Sequence, residues 1–212
     1  MNSIVKRYII FIIGLIINAF GITFITKSAL GTSPISGVPY VFSLKFTDLS
    51  FGIFTFILNF IFVILEIILL RNKFKPIQLL QLVATFIFSS FIDIWMFILS
   101  DLNPNTLLLR LMCLIFGCMI LAFGICVEVA PNVLVVPGEG MVRVISYVLK
   151  SDFGKTKTCF DVTLMITAAV FSFIFFGKLN GLGIGTVISA VVVGQFVSLF
   201  NRKFTFLKAL KA

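Results

Sequence analysis

Residues 31–47 read GTSPISGVPYVFSLKFT and residues 134–150 read LVVPGEGMVRVISYVLK. Pro34 and Pro137 hold the same place in the two strings, as do Gly37 and Gly140, and Ser43 and Ser146. From each proline a largely apolar segment of 14 residues follows, over 34–47 and 137–150. As a helix rising 1.5 Å per residue, such a segment is about 21 Å long, short of the ~30 Å hydrocarbon core of a bilayer. Two readings follow: re-entrant half-helices, or helices lying in the membrane interface. The choice sets the topology of everything around them.

Six other segments are long enough to cross, roughly 8–26, 51–70, 77–99, 106–128, 156–176 and 182–200. Turn-forming stretches at 72–76, 101–105 and 177–183 separate several of them. Of the 212 residues, 60% are hydrophobic and 12% charged, and mean hydropathy is +1.19. A soluble domain needs far more polar surface, and 27 phenylalanines leave little room for disorder. Lipid admits only helices or closed barrels, and continuous apolar runs without period-two alternation select helices. The expected fold class is an all-α polytopic membrane protein of about six transmembrane helices. Lys6 and Arg7 precede the first span like the start of a signal peptide, but no small-x-small cleavage site follows it, so that span is expected to be retained.

The likeness of the two short segments extends through the chain. A shift of 103 places Arg7 on Arg110, Gly14 on Gly117 and the block Ala19 to Ile22 on Ala122 to Ile125. Dropping one residue aligns Phe51-Gly52 with Phe153-Gly154 and Asn59 with Asp161; dropping another aligns Thr85 with Thr186. Glycine, proline and arginine anchors are not produced by apolar low complexity, so the chain reads as two repeats, 1–103 and 104–212, each of three spans and a short segment.

Charge orients them. If the short segments do not cross and the N-terminus is cytoplasmic, 13 of the 17 basic residues lie inside, among them Lys6, Arg7, Arg71, Lys73, Lys75, Arg202, Lys203, Lys208 and Lys211. Lys27, Lys45, Arg110 and Lys178 lie opposite. Letting the short segments cross would move the Arg71–Lys75 cluster outside and erase the bias. Three crossings per repeat are expected, with both termini cytoplasmic and the second copy inverted. The net charge of +9 thus sets orientation and meets anionic headgroups; nucleic acid is not expected as a partner.

With no histidine in the chain, imidazole shuttles, histidine metal sites and Ser-His or Cys-His pairs are excluded; no enzyme, cofactor or metal is expected. Cys113, Cys118, Cys126 and Cys159 show no CxxC spacing and read as buried thiols. Trp95, Tyr40 and Tyr147 read as interface markers. Gly181, Gly183 and Gly185 lack a Walker lysine and read as packing glycines.

Candidate binding residues come from the loops. A half-helix ending inside a membrane leaves free N–H groups and a positive dipole end, which must face a cavity or ligand. Thr32 and Ser33 before Pro34 read as caps with proline at the first helical position. Gly31, Gly37, Gly138 and Gly140 allow close approach. The loops Gly31–Gly37 and Val136–Gly140 are expected to meet near the symmetry axis, offering Gly31, Thr32, Ser33, Pro34, Ser36, Gly37, Pro137, Gly138, Glu139 and Gly140 to a solute. Surface turns are the plain alternative. Ionisable residues inside spans cost at least ~2.5–3.5 kcal/mol at the bilayer centre, which marks Asp93, Glu128 and Asp161. With Asn59, the equivalent of Asp161, they are candidates for a polar or coupling-ion pathway, or for interhelical bridges. Glu66 reads as a structural group, snorkelling or paired with Arg71. Glu139, equivalent to Ser36, is the leading candidate for a functional acid.

The Gly31-Thr32-Ser33-Pro34 loop, the Pro137-Gly138-Glu139-Gly140 loop and the repeated Phe-Gly before a long span resemble the YczE/YyaS/YitT-type family of bacterial integral membrane proteins, over nearly the whole chain. The resemblance implies a bacterial inner-membrane location and a multi-span fold; it implies no substrate or site residues. The function expected from the residues is transport of a small solute, with a weak preference for an anionic or carboxylate-bearing one, and with membrane lipid, a coupling ion (H+ or Na+) and a second copy of the chain as allowed partners. An aquaporin-like channel and a non-transporting protein binding a lipid or protein partner are the alternatives.

Overall fold

The computed structural model describes residues 3–203, and every regular element among them is helical. Helix α1 spans Ser3–Lys27, α2 Gly37–Lys45, α3 Phe51–Leu70, α4 Leu80–Ile98, α5 Leu107–Val129, α6 Pro137–Leu149, α7 Phe153–Phe176 and α8 Ile184–Lys203. One 3-10 turn, Pro34–Ser36, leads into α2; Arg71–Lys73 and Pro76–Leu79 form others between α3 and α4. Six stretches are long and apolar enough to cross a membrane, carried by α1, α3, α4, α5, α7 and α8. Their outer faces are bare hydrocarbon: Phe97 is 82% exposed, and Phe86, Ile174 and Ile184 are also exposed. Water would penalise such surface heavily; lipid does not. The protein is a polytopic helical membrane protein.

Local chemistry sets the helix ends. Ser50 accepts from Ile53 N–H at the start of α3, Thr106 from Leu109 N–H at α5 and Asp152 from Lys155 N–H at α7, each satisfying a donor the helix itself cannot pair. Helix α7 stops at Gly177, left-handed at φ 67°. After α1 and α5, Ala29 (φ 57°) and Asn132 (φ 48°) take the same left-handed turn, and the shift of 103 superposes one on the other.

The core is the seam between α1 and α5. A Cβ at Gly21 would sit 2.5 Å from Leu121 N, one at Gly124 2.6 Å from Asn18 N, and one at Gly117 2.7 Å from Ile25 N. Gly14 meets the backbone of Glu128 as closely. Glycine is what lets the two backbones touch. Because positions in α5 fall as positions in α1 rise, the helices run antiparallel. Arg7 Nε donates to Pro131 O at 3.0 Å at one end of the seam. Helix α4 packs on α1 through Ile16 and Trp95 and through Phe11 and Ala84, running parallel to it. Helix α8 packs parallel to α5, Cys126 against Val197 and Ala130 beside Asn201.

The short helices are inside the bundle. Gly37, Pro39 and Val41 of α2 are buried, as are Pro137, Gly138, Gly140, Met141, Val142 and Val144 of α6. Each touches the neighbouring span and a span of the other half: α2 packs on α3 and α7, α6 on α7 and α3. Phe42 of α2 meets Phe171 and Phe175 edge-on, at 4.9 and 5.3 Å.

Several side chains depart from expectation. Trp95 donates Nε1 to Ile16 O at 3.3 Å and packs on Phe20 at 4.7 Å; it is a packing residue between α1 and α4, because its indole N–H finds a carbonyl there. Glu66 neither snorkels nor pairs with Arg71. It is 0% exposed and receives Gln81 Nε2 at 3.3 Å, since its face of α3 turns inward toward α4. Cys118 and Cys126 are buried and Cys113 partly so, but Cys159 is exposed on the outer face of α7. Lys208 and Lys211 lie outside the described residues.

Candidate functional site

A cavity of about 490 Å³ lies where the two short helices begin. Ser33, Pro34, Ile35 and Ser36 reach it from one loop, and Val136, Gly138 and Glu139 from the other. The loops abut: a Cβ at Gly138 would collide with Ile35 Cδ1. Remaining walls come from α1 (Asn18, Ile22), α3 (Thr55, Asn59), α4 (Phe88), α5 (Leu121, Ile125), α7 (Lys157, Thr158, Asp161) and α8 (Ser189, Val193, Val197). The volume suits a small organic solute.

The polar groups are unevenly committed. Asn59 Nδ2 donates back to Thr55 O at 2.9 Å, leaving its amide oxygen unspent. Lys157 Nζ bonds Asp161 Oδ1 at 2.7 Å, the ion pair on the wall. Asn18 Nδ2 donates to Glu128 Oε2 at 2.7 Å, so Glu128, 2% exposed, stands one hydrogen bond behind the cavity surface. At α6, Gly140 is the first amide to find a main-chain acceptor, Val136 O at 2.9 Å, so the Gly138 and Glu139 N–H groups remain for a ligand or water. At the other loop Ser36 N–H is held by Ser33 O at 3.1 Å, and the Ser33 hydroxyl donates to that of Ser36 at 2.9 Å.

Residues 5–202 match DUF6198, a family of unknown function. The chain belongs to the DUF6198 family. This DUF6198 chain is also 29% identical over 196 residues to the uncharacterized protein YyaS of Bacillus subtilis (strain 168), covering 92% of each chain, in agreement with the YyaS-type resemblance of its loops. No solved structure matches it.

Of the residues singled out from the sequence, Ser33, Pro34, Ser36, Gly138, Glu139, Asn59 and Asp161 line the DUF6198 cavity. The others lie behind it. Gly31, at φ 129°, sits where a Cβ would strike Thr186 Oγ1. The Thr32 hydroxyl bonds that of Thr26 at 2.7 Å and its N–H donates to Thr186 Oγ1 at 3.3 Å. Ser33 occupies the cap position without accepting a main-chain N–H on its side chain; its hydroxyl instead donates to that of Ser36. Gly37 packs against Leu182 and Ala168, and Gly140 against Glu66; Pro137 is buried at the first position of α6. Asp93 is a trans-cap for α3, accepting Gly52 N–H at 2.7 Å and the Ser50 hydroxyl at 2.5 Å.

Asn18, Thr55 and Lys157 were not found from the sequence. Lys157 carried a signal, its i,i+4 spacing to Asp161, but basic residues near span ends were read as orientation charges. Asn18 is a lone amide in the middle of an apolar span, the kind of residue that marks a pathway or a helix bridge.

Proposed function

We propose that the protein is a carrier for a small, carboxylate-bearing solute in the bacterial cytoplasmic membrane, built as two inverted repeats around this cavity. One observation carries the reading: the walls come in equivalent pairs from the two halves. Ser33 and Val136, Ser36 and Glu139, Asn18 and Leu121, Thr55 and Lys157, Asn59 and Asp161, and Phe88 and Ser189 all line it, each pair related by the sequence shift of 103, 102 or 101. The α1–α5 seam has the same relation. Shifting Gly14–Glu128 yields Gly117–Ile25, and shifting Gly21–Leu121 yields Gly124–Asn18, and all four pairs touch. Antiparallel helices exchanged by one shift support a two-fold axis across them. Antiparallel α1 and α5 also support α2 as re-entrant, since three full crossings between α1 and α5 would leave them parallel.

Such a plan puts substrate at the repeat interface, against the N-termini of interrupted helices. The free Gly138 and Glu139 amides suit a carboxylate, while Glu139 and the Lys157–Asp161 pair suit a polar or cationic group beside it. Access supports a carrier over an open channel. Phe51 is 4% exposed and packed on Tyr40 at 5.3 Å, whereas its equivalent Phe153 is 42% exposed and borders the cavity. One end is shut and the other open, as alternating access requires. The basic residues support a cytoplasmic open end: Lys73 Nζ reaches the Tyr147 hydroxyl at 2.5 Å and Arg7 reaches Pro131, gathering N-terminus, α3–α4 link and α6 on the side that the charge bias assigns to the cytoplasm.

Single cysteines at Ser36, Asn59, Glu139 and Thr158, in a background free of the native four, test the proposal with a membrane-impermeant maleimide on inside-out vesicles. Labelling at all four, slowed by one member of a panel of small carboxylates, is the expected result. Labelling that no member of the panel slows favours a non-transporting membrane protein. Glu139→Gln should then reduce uptake of the protecting solute at unchanged expression.

A further inference from the structure

Behind the cavity, α3, α4 and α6 meet at a second polar point that takes no part in lining it. Glu66 is 0% exposed and Gln81 4%. Gln81 Nε2 donates to Glu66 Oε2 at 3.3 Å, yet Glu66 Oε1 and Gln81 Oε1 have no hydrogen-bond partner. Both orphan oxygens converge on Gly140: a Cβ there would collide with Glu66 Oε1 and lie 3.2 Å from Gln81 Oε1. Two buried acceptors facing one point without a donor are costly, and for a carboxylate the cost is several kcal/mol.

No base relieves it. Among the described residues Lys157–Asp161 is the ion pair within 4.0 Å. Just past α3 the nearest charge in sequence is exposed Arg71, five residues on; α4 offers Gln81 and Thr85, both uncharged, and Lys75 before it is exposed. On α6, Glu139 turns to the cavity and Arg143 is exposed. A single proton satisfies both orphans together. Placed on Glu66 Oε1 and donated to Gln81 Oε1, it closes the reciprocal acid–amide pair whose other arm, Gln81 Nε2 to Glu66 Oε2, is already formed.

We infer that Glu66 and Gln81 form a proton-binding site in which Glu66 is a neutral carboxylic acid at neutral pH. Resting on the carrier reading, this site supplies its coupling ion. Gly140 joins the two functions, because it touches Glu66 on one side and follows Glu139, on the cavity wall, on the other. Release of the proton to water leaves a carboxylate against the α6 backbone, and α6 must then move or admit water. Solute and proton are thereby linked through the first turn of one short helix.

Infrared difference spectroscopy on the protein in phosphatidylcholine–phosphatidylglycerol vesicles reads the site directly. At neutral pH the wild type should show a protonated-carboxyl stretch that shifts in D2O. Glu66→Gln should remove one carboxyl equivalent of it, and Glu139→Gln and Asp161→Asn should not. Gln81→Leu should keep the band but move it to higher wavenumber, having lost the amide partner. A Glu66→Gln spectrum identical to wild type overturns the proposal, as does a band that vanishes on adding sodium, which would make this a cation site. The band reports on Glu66 whether or not any solute is carried, so failed solute protection at the cavity and a missing proton are separate results.

Discussion

The two loops that meet at the cavity occupy equivalent places in the sequence and are held very differently. The first is tied down: Gly185 N–H donates to Leu30 O at 2.8 Å, and Thr32 is bonded to Thr26 and Thr186, with Ser189 reaching Thr32 O at 3.5 Å. The second is held differently, by Arg7 Nε donating to Pro131 O at 3.0 Å. Thr85, the equivalent of Thr186, is 1% exposed with its hydroxyl unpartnered, and Leu134 stands where the first loop has Gly31. Buried Phe51 lies toward the first loop and exposed Phe153 toward the second. Two equivalent sequence elements that share a proline and a glycine but differ at most other positions are thus held by different hydrogen bonds.

The strongest way to break that comparison is at position 31. Gly31→Val forces a β-branched residue to φ 129° and a Cβ onto Thr186, and should destabilise by about 3 kcal/mol or more. Leu134→Val, at the equivalent place, should cost about 1 kcal/mol. Denaturant unfolding in detergent compares them; similar losses would mean the first loop is not specially held. Opposite signs are expected one step down. Thr186→Val strands the buried Thr32 N–H and should cost about 1–3 kcal/mol, whereas Thr85→Val removes an orphan hydroxyl and should be neutral or stabilising.

Accessibility sharpens the contrast between the ends. Phe153→Cys should react with an impermeant maleimide at least about tenfold faster than Phe51→Cys, the ratio that 1.4 kcal/mol of opening energy gives; equal rates would remove the argument for one-sided access. The smallest effect concerns the turns before the loops. Ala29→Gly relieves a left-handed alanine and should stabilise by about 1 kcal/mol, while Asn132→Gly, replacing a residue that tolerates this conformation, should gain only a few tenths.

Much of this was legible beforehand. The spans emerged within a few residues of their observed ends because hydrocarbon length leaves little choice; α6 begins at Pro137 as read, whereas Pro34 opens a 3-10 turn and α2 itself starts at Gly37. The recurrence of Pro34 and Pro137 also brought Ser33, Ser36, Gly138 and Glu139 together before any coordinates. Asp93 shows where reading stopped. An acid in an apolar span signals that something polar must meet it, but whether that is a solute or the amide of Gly52 depends on which helix lies alongside. Lys157 shows the converse, a charge attributed to the membrane surface that the packing of α7 turned onto the cavity wall.

The sequence alone determined the helical class and the number and length of the spans, and it supplied the charge pattern and the internal likeness on which the proposal of inverted repeats rests. Each follows from terms summed along the chain: apolar length against bilayer thickness, charge against headgroups, and backbone rules at glycine and proline. Tertiary structure decided which polar side chains face the cavity, which cap a neighbour, and which of two equivalent loops is tied. Those outcomes turn on contacts between residues far apart in the chain, such as Gly52 against Asp93 and Thr32 against Thr186, whose geometry no local pattern encodes.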